Sequence, residues 1–177
     1  MFTNEFAQEV FASNHLWWHN LNTGERLNRN KGELIALLHS ELSEMAEALE
    51  WDSCDSKLRH RKGEEVELAD FVIRALDYAG AYVIDVTDLD DFNVANGTKR
   101  TLILAGHSIC TNLLEAVRKS QATGEVIAVR RMLAWAVAYA RKFRLDLNGA
   151  IVEKRAYNAT REDHKREARI AAGGKQF

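Results

Sequence analysis

No proline occurs anywhere in this chain, and only ten of its residues are glycine. Proline is the strongest helix breaker and glycine the next. Their scarcity, beside plentiful Ala, Leu, Glu and Arg, points to an all-α protein. Cysteine is scarcer still. Cys54 and Cys110 show no metal-type spacing and no disulfide framework, and read as ordinary reduced thiols of a cytoplasmic protein. No apolar run is long enough to span a membrane, which takes about 18 residues or more. The opening MFTNEFAQEV has no basic region followed by an apolar run, so no signal peptide is expected. Positive charge is not in excess either. The formal net charge is −2, which leaves no global field to draw nucleic acid. The basic residues of RKGEEVE and of the C-terminal region are interleaved with acidic ones, whereas a phosphate-binding track is predominantly basic.

What is present is the helical pattern of one domain. A chain of 177 residues suffices for a single domain with a full core. Six helical stretches are expected, over about 3–20, 32–51, 64–85, 98–121 and 125–144, with the last starting after Asp146 or Asn148 and running past 165. Polar connectors NTGERLNRNKG, DSCDSKLRHRKG and DVTDLDDFNVANGT separate the first four, and the closing AAGGKQF is expected to be loose. Within this domain, residues 1–95 form one half, 96–147 a second hairpin and 148–177 a C-terminal helix with its tail.

The second hairpin echoes the first. LHSELSEMAEAL (38–49) aligns with GHSICTNLLEAV (106–117), and ALDYAGAYVIDV (75–86) with AVAYARKFRLDL (136–147). The pattern suggests a degenerate internal duplication of a two-helix hairpin; chance similarity between helices of like composition is the competing reading. In the second copy Glu41 and Glu44 become Ile109 and Asn112, while Glu67 and Asp70 become Ala128 and Arg131. The first copy would then carry the site.

On a helical wheel Leu34, Ile35, Leu37, Leu38, Leu42, Met45 and Leu49 form one apolar arc. Glu41 falls inside that arc and Glu44 at its edge, while Glu47 and Glu50 face water. The next helix is apolar except for a narrow stripe of Glu67, Asp70, Arg74 and Asp77. In an antiparallel hairpin Glu41, Glu44, Glu67 and Asp70 can converge. Four carboxylates do not stay ionised together without a cation, and all-oxygen ligation suits Mg2+ or Mn2+. The plainer alternative is a salt-bridged stripe, with Asp70 paired to Arg74 one turn on. A di-iron bundle would need Glu-x-x-His. The residues three before each histidine are Ala12, Leu16, Ala36, Lys57, Leu104 and Arg161, none of them acidic.

Glu41-x-x-Glu44, then 22 residues, then Glu67-x-x-Asp70 resembles the all-α nucleoside triphosphate pyrophosphohydrolase superfamily, which includes MazG-like proteins, dimeric dUTPases and dCTP pyrophosphatases. RNKGELIALLHSELSEMAEALEW is similar to the first metal helix of the MazG-like and dCTP-pyrophosphatase members, and EVELADFVIRALDYAG to their second. AIVEKRAYNATREDHK resembles the C-terminal lysine–asparagine segment. The resemblance covers about residues 14–90 and 148–177, and the region 96–145 departs from the short members.

The resemblance implies a MazG-like helical bundle that hydrolyses a (d)NTP to the monophosphate and pyrophosphate, for nucleotide-pool control or house-cleaning. It implies Mg2+ on Glu41, Glu44, Glu67 and Asp70, with attack in line at the α-phosphorus. Lys154, Asn158, Arg161 and Lys165 share one helix face. The match favours phosphate or sugar contacts for Lys154 and Asn158, and less strongly for Arg161; a solvated basic face is the alternative. Trp51, Trp17 and Trp18 are candidates to stack on the base, against the commoner fate of tryptophan as core. His39 lies outside the apolar arc and reads as structural or exposed. Arg74 stands where some relatives carry Tyr, either to touch phosphate or to neutralise Asp70 and Asp77. A homodimer is expected, because a fused second hairpin reduces the number of chains a bundle needs. A catalytically inactive nucleotide-sensing or interaction protein is the competing reading, and the retention of all four carboxylates argues against it.

Overall fold

The computed structural model describes residues 2–162 and 165–171. Among these the protein is all-α, with helices α1 (Asn4–Ser13), α2 (His15–Trp18), α3 (Lys31–Trp51), α4 (Gly63–Tyr82), α5 (Lys99–Arg118), α6 (Ala122–Phe143), α7 (Leu147–Thr160) and α8 (Arg166–Ala171), and no strand. None of these helices is long and apolar enough to cross a membrane. Caps set most of the boundaries. Thr3, Asn30 and Asp146 accept backbone N–H bonds at the starts of α1, α3 and α7, and Thr98 and Thr101 form a reciprocal cap on α5. Asp52, Val83 and Arg144 close α3, α4 and α6 in the left-handed conformation.

Two expectations about helix length are corrected. The stretch 3–20 is not one helix, because it breaks at Asn14 (φ −98°, ψ 13°). The break lets Trp18 enter the core, where it is 1 % exposed and its Nε1 donates to the Asp77 carboxylate at 3.1 Å. The last helix does not run past 165 either. Arg161 adopts an extended conformation (φ −66°, ψ 128°) and ends α7, so Lys165 leaves the face shared by Lys154 and Asn158 and pairs with Glu162 at 2.5 Å. Most of the AAGGKQF tail, residues 172–177, lies outside the described residues.

Helices α3 to α6 form a four-helix bundle of two hairpins, α3–α4 and α5–α6, and both α1 and α7 pack on α4. Leu38, Leu42, Met45, Phe71, Leu76, Leu113, Met132 and Trp135 fill its centre. Helix α4 is buried on nearly every side, as its sequence requires.

The contacts between the hairpins are reciprocal. Carried along each helix, the sequence alignment pairs Lys31 with Lys99, Glu64 with Glu125, and Tyr78 with Tyr139. Tyr78 donates to Glu125 at 2.7 Å and Tyr139 to Glu64 at 2.5 Å. Lys31 pairs with Glu125, and Lys99 with Glu64. His39 meets its own counterpart: the rings of His39 and His107 stack 5.2 Å apart with Nδ1–Nδ1 at 2.9 Å. A residue touches its own equivalent only beside a two-fold axis. Burial lowers both imidazole pKa values, so the stack favours neutral rings.

The approach of α1 to α4 depends on Gly80. A Cβ there would collide with the Ala7 carbonyl oxygen and sit 2.7 Å from Phe11 Cβ. Alanine would normally favour a helix by roughly 1 kcal/mol over glycine. Here the obstacle is backbone, so Gly80→Ala is expected to destabilise the fold by about 1–3 kcal/mol. Urea unfolding checks this: an unchanged or raised midpoint would contradict the close packing.

Candidate metal centre

Glu41 comes from the buried face of α3, and Glu67 and Asp70 from adjacent turns of α4. The antiparallel hairpin brings them together, and each offers a carboxylate oxygen within 4.8 Å of the others. Glu41 is 4 % exposed. Two cations already touch this cluster. Arg74 Nε donates to Glu41 Oε1 at 2.5 Å, and Lys154 Nζ lies 2.6 Å from Asp70 Oδ2. Arg74 therefore pairs across the hairpin and not with Asp70 along its own helix, so the stripe is salt-bridged, but to partners on other helices. Glu67 makes no hydrogen bond or ion pair among the described residues.

The electrostatics follow from that arrangement. Burial, joined by the charges of Asp70 and Glu41, pushes the Glu67 carboxyl up to about 8. Burial likewise raises Glu41 and Asp70, against the opposing pull of Arg74 and Lys154 respectively. Burial alone would lower Lys154, but the charge and hydrogen bond of Asp70, joined by the charges of Glu67 and Asp55, together outweigh it and its pKa is raised. A donor set of carboxylate oxygens, one of them without a counter-ion, fits a hard divalent cation such as Mg2+ or Mn2+.

Arg61 and the loop before α4 fix the position of Lys154. Arg61 bonds Glu65 at 2.5 Å, Glu153 at 2.8 Å and Asp146 at 3.1 Å, clamping the first turns of α7 to the start of α4. Asp55, buried in the same loop, accepts from the Lys57 and Leu58 backbone at 2.8 and 2.5 Å. Burial would raise Asp55, but those two bonds and the Lys154 charge prevail and hold it low. Neither residue was picked out from the sequence. The available signals were an Asx turn in DSKL and the spacing of Arg61 four before Glu65.

The other expected site residues are distributed unevenly. Glu44 is exposed, at the rim one turn beyond Glu41, and does not join the three converging oxygens. Asn158, one turn after Lys154, has a buried Oδ1 with no hydrogen-bond partner among the described residues. Arg161 is half-buried at the end of α7. Trp51 is 74 % exposed and lies about 15 Å along α3 from Glu41, so it is neither core nor beside the cluster in this chain. Trp18 is core and cannot stack on a base without opening the fold. Trp17 is half-buried, and its carbonyl accepts from Arg29 Nη1 at 2.8 Å. A small hollow of about 30 Å³ adjoins Arg74, lined by Trp18, Leu34, Leu37, Asp77 and Tyr78. A larger crevice of about 710 Å³ lies against α6 beneath the segment Leu89–Val94, with none of the four carboxylates in its lining. Compared with known proteins, the chain matches no family model, no curated protein and no solved structure.

Asp77 gives the centre a pH-dependent neighbour. Burial raises its carboxyl to about 7, against the Trp18 hydrogen bond. The folded protein therefore holds a proton that the unfolded chain releases near pH 4, and stability falls as pH rises from there through 7. Asp77→Asn keeps an acceptor for Trp18 and cannot ionise. Its Tm relative to wild type is expected to rise by several degrees between pH 5 and pH 8.5. A pH-independent difference would show that Asp77 is not held protonated.

Proposed function

We propose that the protein is an Mg2+-dependent nucleoside triphosphate pyrophosphohydrolase, converting a (d)NTP to (d)NMP and pyrophosphate. The observation that carries this reading is the convergence of Glu41, Glu67 and Asp70 from two helices, with Glu67 lacking any cation of its own. The sequence resemblance supplies the reaction class. Glu41, Glu67 and Asp70 would hold the metal, with Glu44 at the rim within reach of a second ion or its water shell. Bound there, the metal would supply charge neutralisation for the triphosphate, activation of water and stabilisation of the leaving pyrophosphate. Lys154, held in place by Asp70 and the Arg61 clamp, sets a fixed positive charge beside the carboxylates. Asn158 brings an amide whose Oδ1 is unpartnered among the described residues, suited to a ribose hydroxyl, with its NH2 suited to phosphate. A carboxylate of the cluster that is not fully engaged by the metal can orient the attacking water.

We also infer that the two hairpins are copies of one, with a single functional site per chain. The reciprocal Lys–Glu–Tyr contacts and the His39–His107 stack support it. At the positions of Glu41 and Glu67 the second copy carries buried Ile109 and Ala128, which offer no ligand. We also propose a homodimer, because a fused second hairpin reduces the number of chains a bundle needs, in the cytoplasm, as the two unpaired cysteines suggest.

The experiment is pyrophosphate release from a panel of canonical and modified NTPs and dNTPs, with Mg2+ and with EDTA. Metal-dependent release is expected, reduced about 100-fold or more by Glu41→Gln and by Asp70→Asn. A folded, metal-binding protein that releases nothing from any nucleotide would replace this reading with that of a nucleotide-sensing protein.

A further inference from the structure

We propose that Arg74 is an exchangeable cation: it holds Glu41 only until a divalent ion enters, and then turns to the phosphates of the substrate. The inference rests on the pyrophosphohydrolase reading and adds a residue to it.

Four observations carry it. The first is the one-sided geometry of the pair. The Glu41 side chain is 5 % exposed and that of Arg74 is 40 % exposed, and the only hydrogen bond between them comes from Nε. The two terminal nitrogens of the guanidinium make no hydrogen bond among the described residues. A guanidinium bound by Nε alone leaves its other edge available for two oxygens of a phosphate.

The second is the charge count. Three carboxylates face two cations, Arg74 and Lys154. Asp55 adds a further negative charge beside Lys154, so Lys154 is already shared, and a divalent ion added among the three carboxylates competes with the Arg74 guanidinium for Glu41. Like charges at this range in a half-buried site repel strongly, and one cation must give way.

The third concerns which cation can move. Lys154 is 5 % exposed and its helix is clamped by Arg61. Arg74 opens onto solvent and the small hollow beside Trp18 and Asp77, so it can swing without disturbing the bundle.

The fourth comes from the other hairpin. There the position of Arg74 is taken by Trp135 and that of Glu41 by Ile109, both buried. The cation and the carboxylate are absent together where the acidic site is absent, so the bundle itself does not require an arginine at this position.

The test titrates Mn2+ into the nucleotide-free full chain at pH 8 by calorimetry, then inorganic pyrophosphate into the Mn2+-loaded protein. Wild type, Arg74→Met and Arg74→Lys are compared. Arg74→Met should bind Mn2+ about fivefold more tightly, because a partly exposed competing ion pair is gone. It should bind pyrophosphate about tenfold more weakly, because a charge-assisted contact is lost. Arg74→Lys cannot reproduce the Nε bond and should show both shifts at smaller size; it carries the test alone if Arg74→Met does not fold. Weaker Mn2+ binding in the variants would overturn the proposal and make Arg74 a fixed orienting partner of Glu41. Unchanged pyrophosphate affinity would overturn it too. Wild-type protein that takes up no Mn2+ would instead overturn the metal reading itself, and this inference with it.

Discussion

Burying the Glu41 carboxylate in the seam between α3 and α4 sets the terms for the rest of this site. An ionised carboxylate out of water is costly unless charge and hydrogen bonds compensate it. Arg74 supplies part of that compensation from α4. Asp70, on the same stripe, raises the same demand and is answered from a different helix by Lys154. Because Lys154 lies on α7, the fold must then fix α7, and the Arg61 clamp on Glu65, Asp146 and Glu153 does so. Two inward carboxylates, Glu41 and Asp70, thus draw in partners from two different helices. Glu67 is the member left over, with its pKa raised and no cation partner among the described residues.

The same logic appears in apolar form across the bundle. Glu64 and Glu125 are each gripped by a tyrosine hydroxyl and a lysine of the opposite hairpin. These two contacts mirror each other although the surrounding sequences differ. A buried carboxylate between two donors is unforgiving of change, because removing either donor leaves the charge unsatisfied. At the positions aligned with Glu41, Glu67 and Arg74, by contrast, the second hairpin carries buried Ile109, Ala128 and Trp135. The mirrored contacts lie where the hairpins meet, and the converging carboxylates lie in the first hairpin alone among the described residues.

The sequence made the all-α class, the two hairpins and the inward turn of Glu41 legible, because each depends on helical periodicity within one segment. Glu67 and Asp70 were legible for the same reason, as part of the narrow polar stripe of an otherwise apolar helix. What periodicity could not show were pairings across elements. Arg74 reaches Glu41 and not Asp70, because a residue one turn away on the same helix competes with one on the neighbouring helix. The wheel placed Glu44 at the edge of the arc but could not show that it stays outside the cluster. The break at Asn14 was hidden because the run around it is helix-compatible, and what holds Trp18 inward lies on other elements: Asp77 and Tyr82 on α4 and Arg29 in the loop. Trp51 shows the limit of reading type from position: its exposure depends on what α3 meets at its end, which no local pattern contains.

The separation of Lys154 from the other members of the centre has a consequence for the order in which the protein is made. Glu41, Glu67 and Asp70 emerge during synthesis long before the chain reaches Lys154, and domains tend to fold as they emerge. Until α7 is made, the only cation of the centre already in the chain is Arg74. The acidic seam is complete in sequence about 80 residues before the lysine that answers Asp70, so the centre is assembled from both ends of the chain.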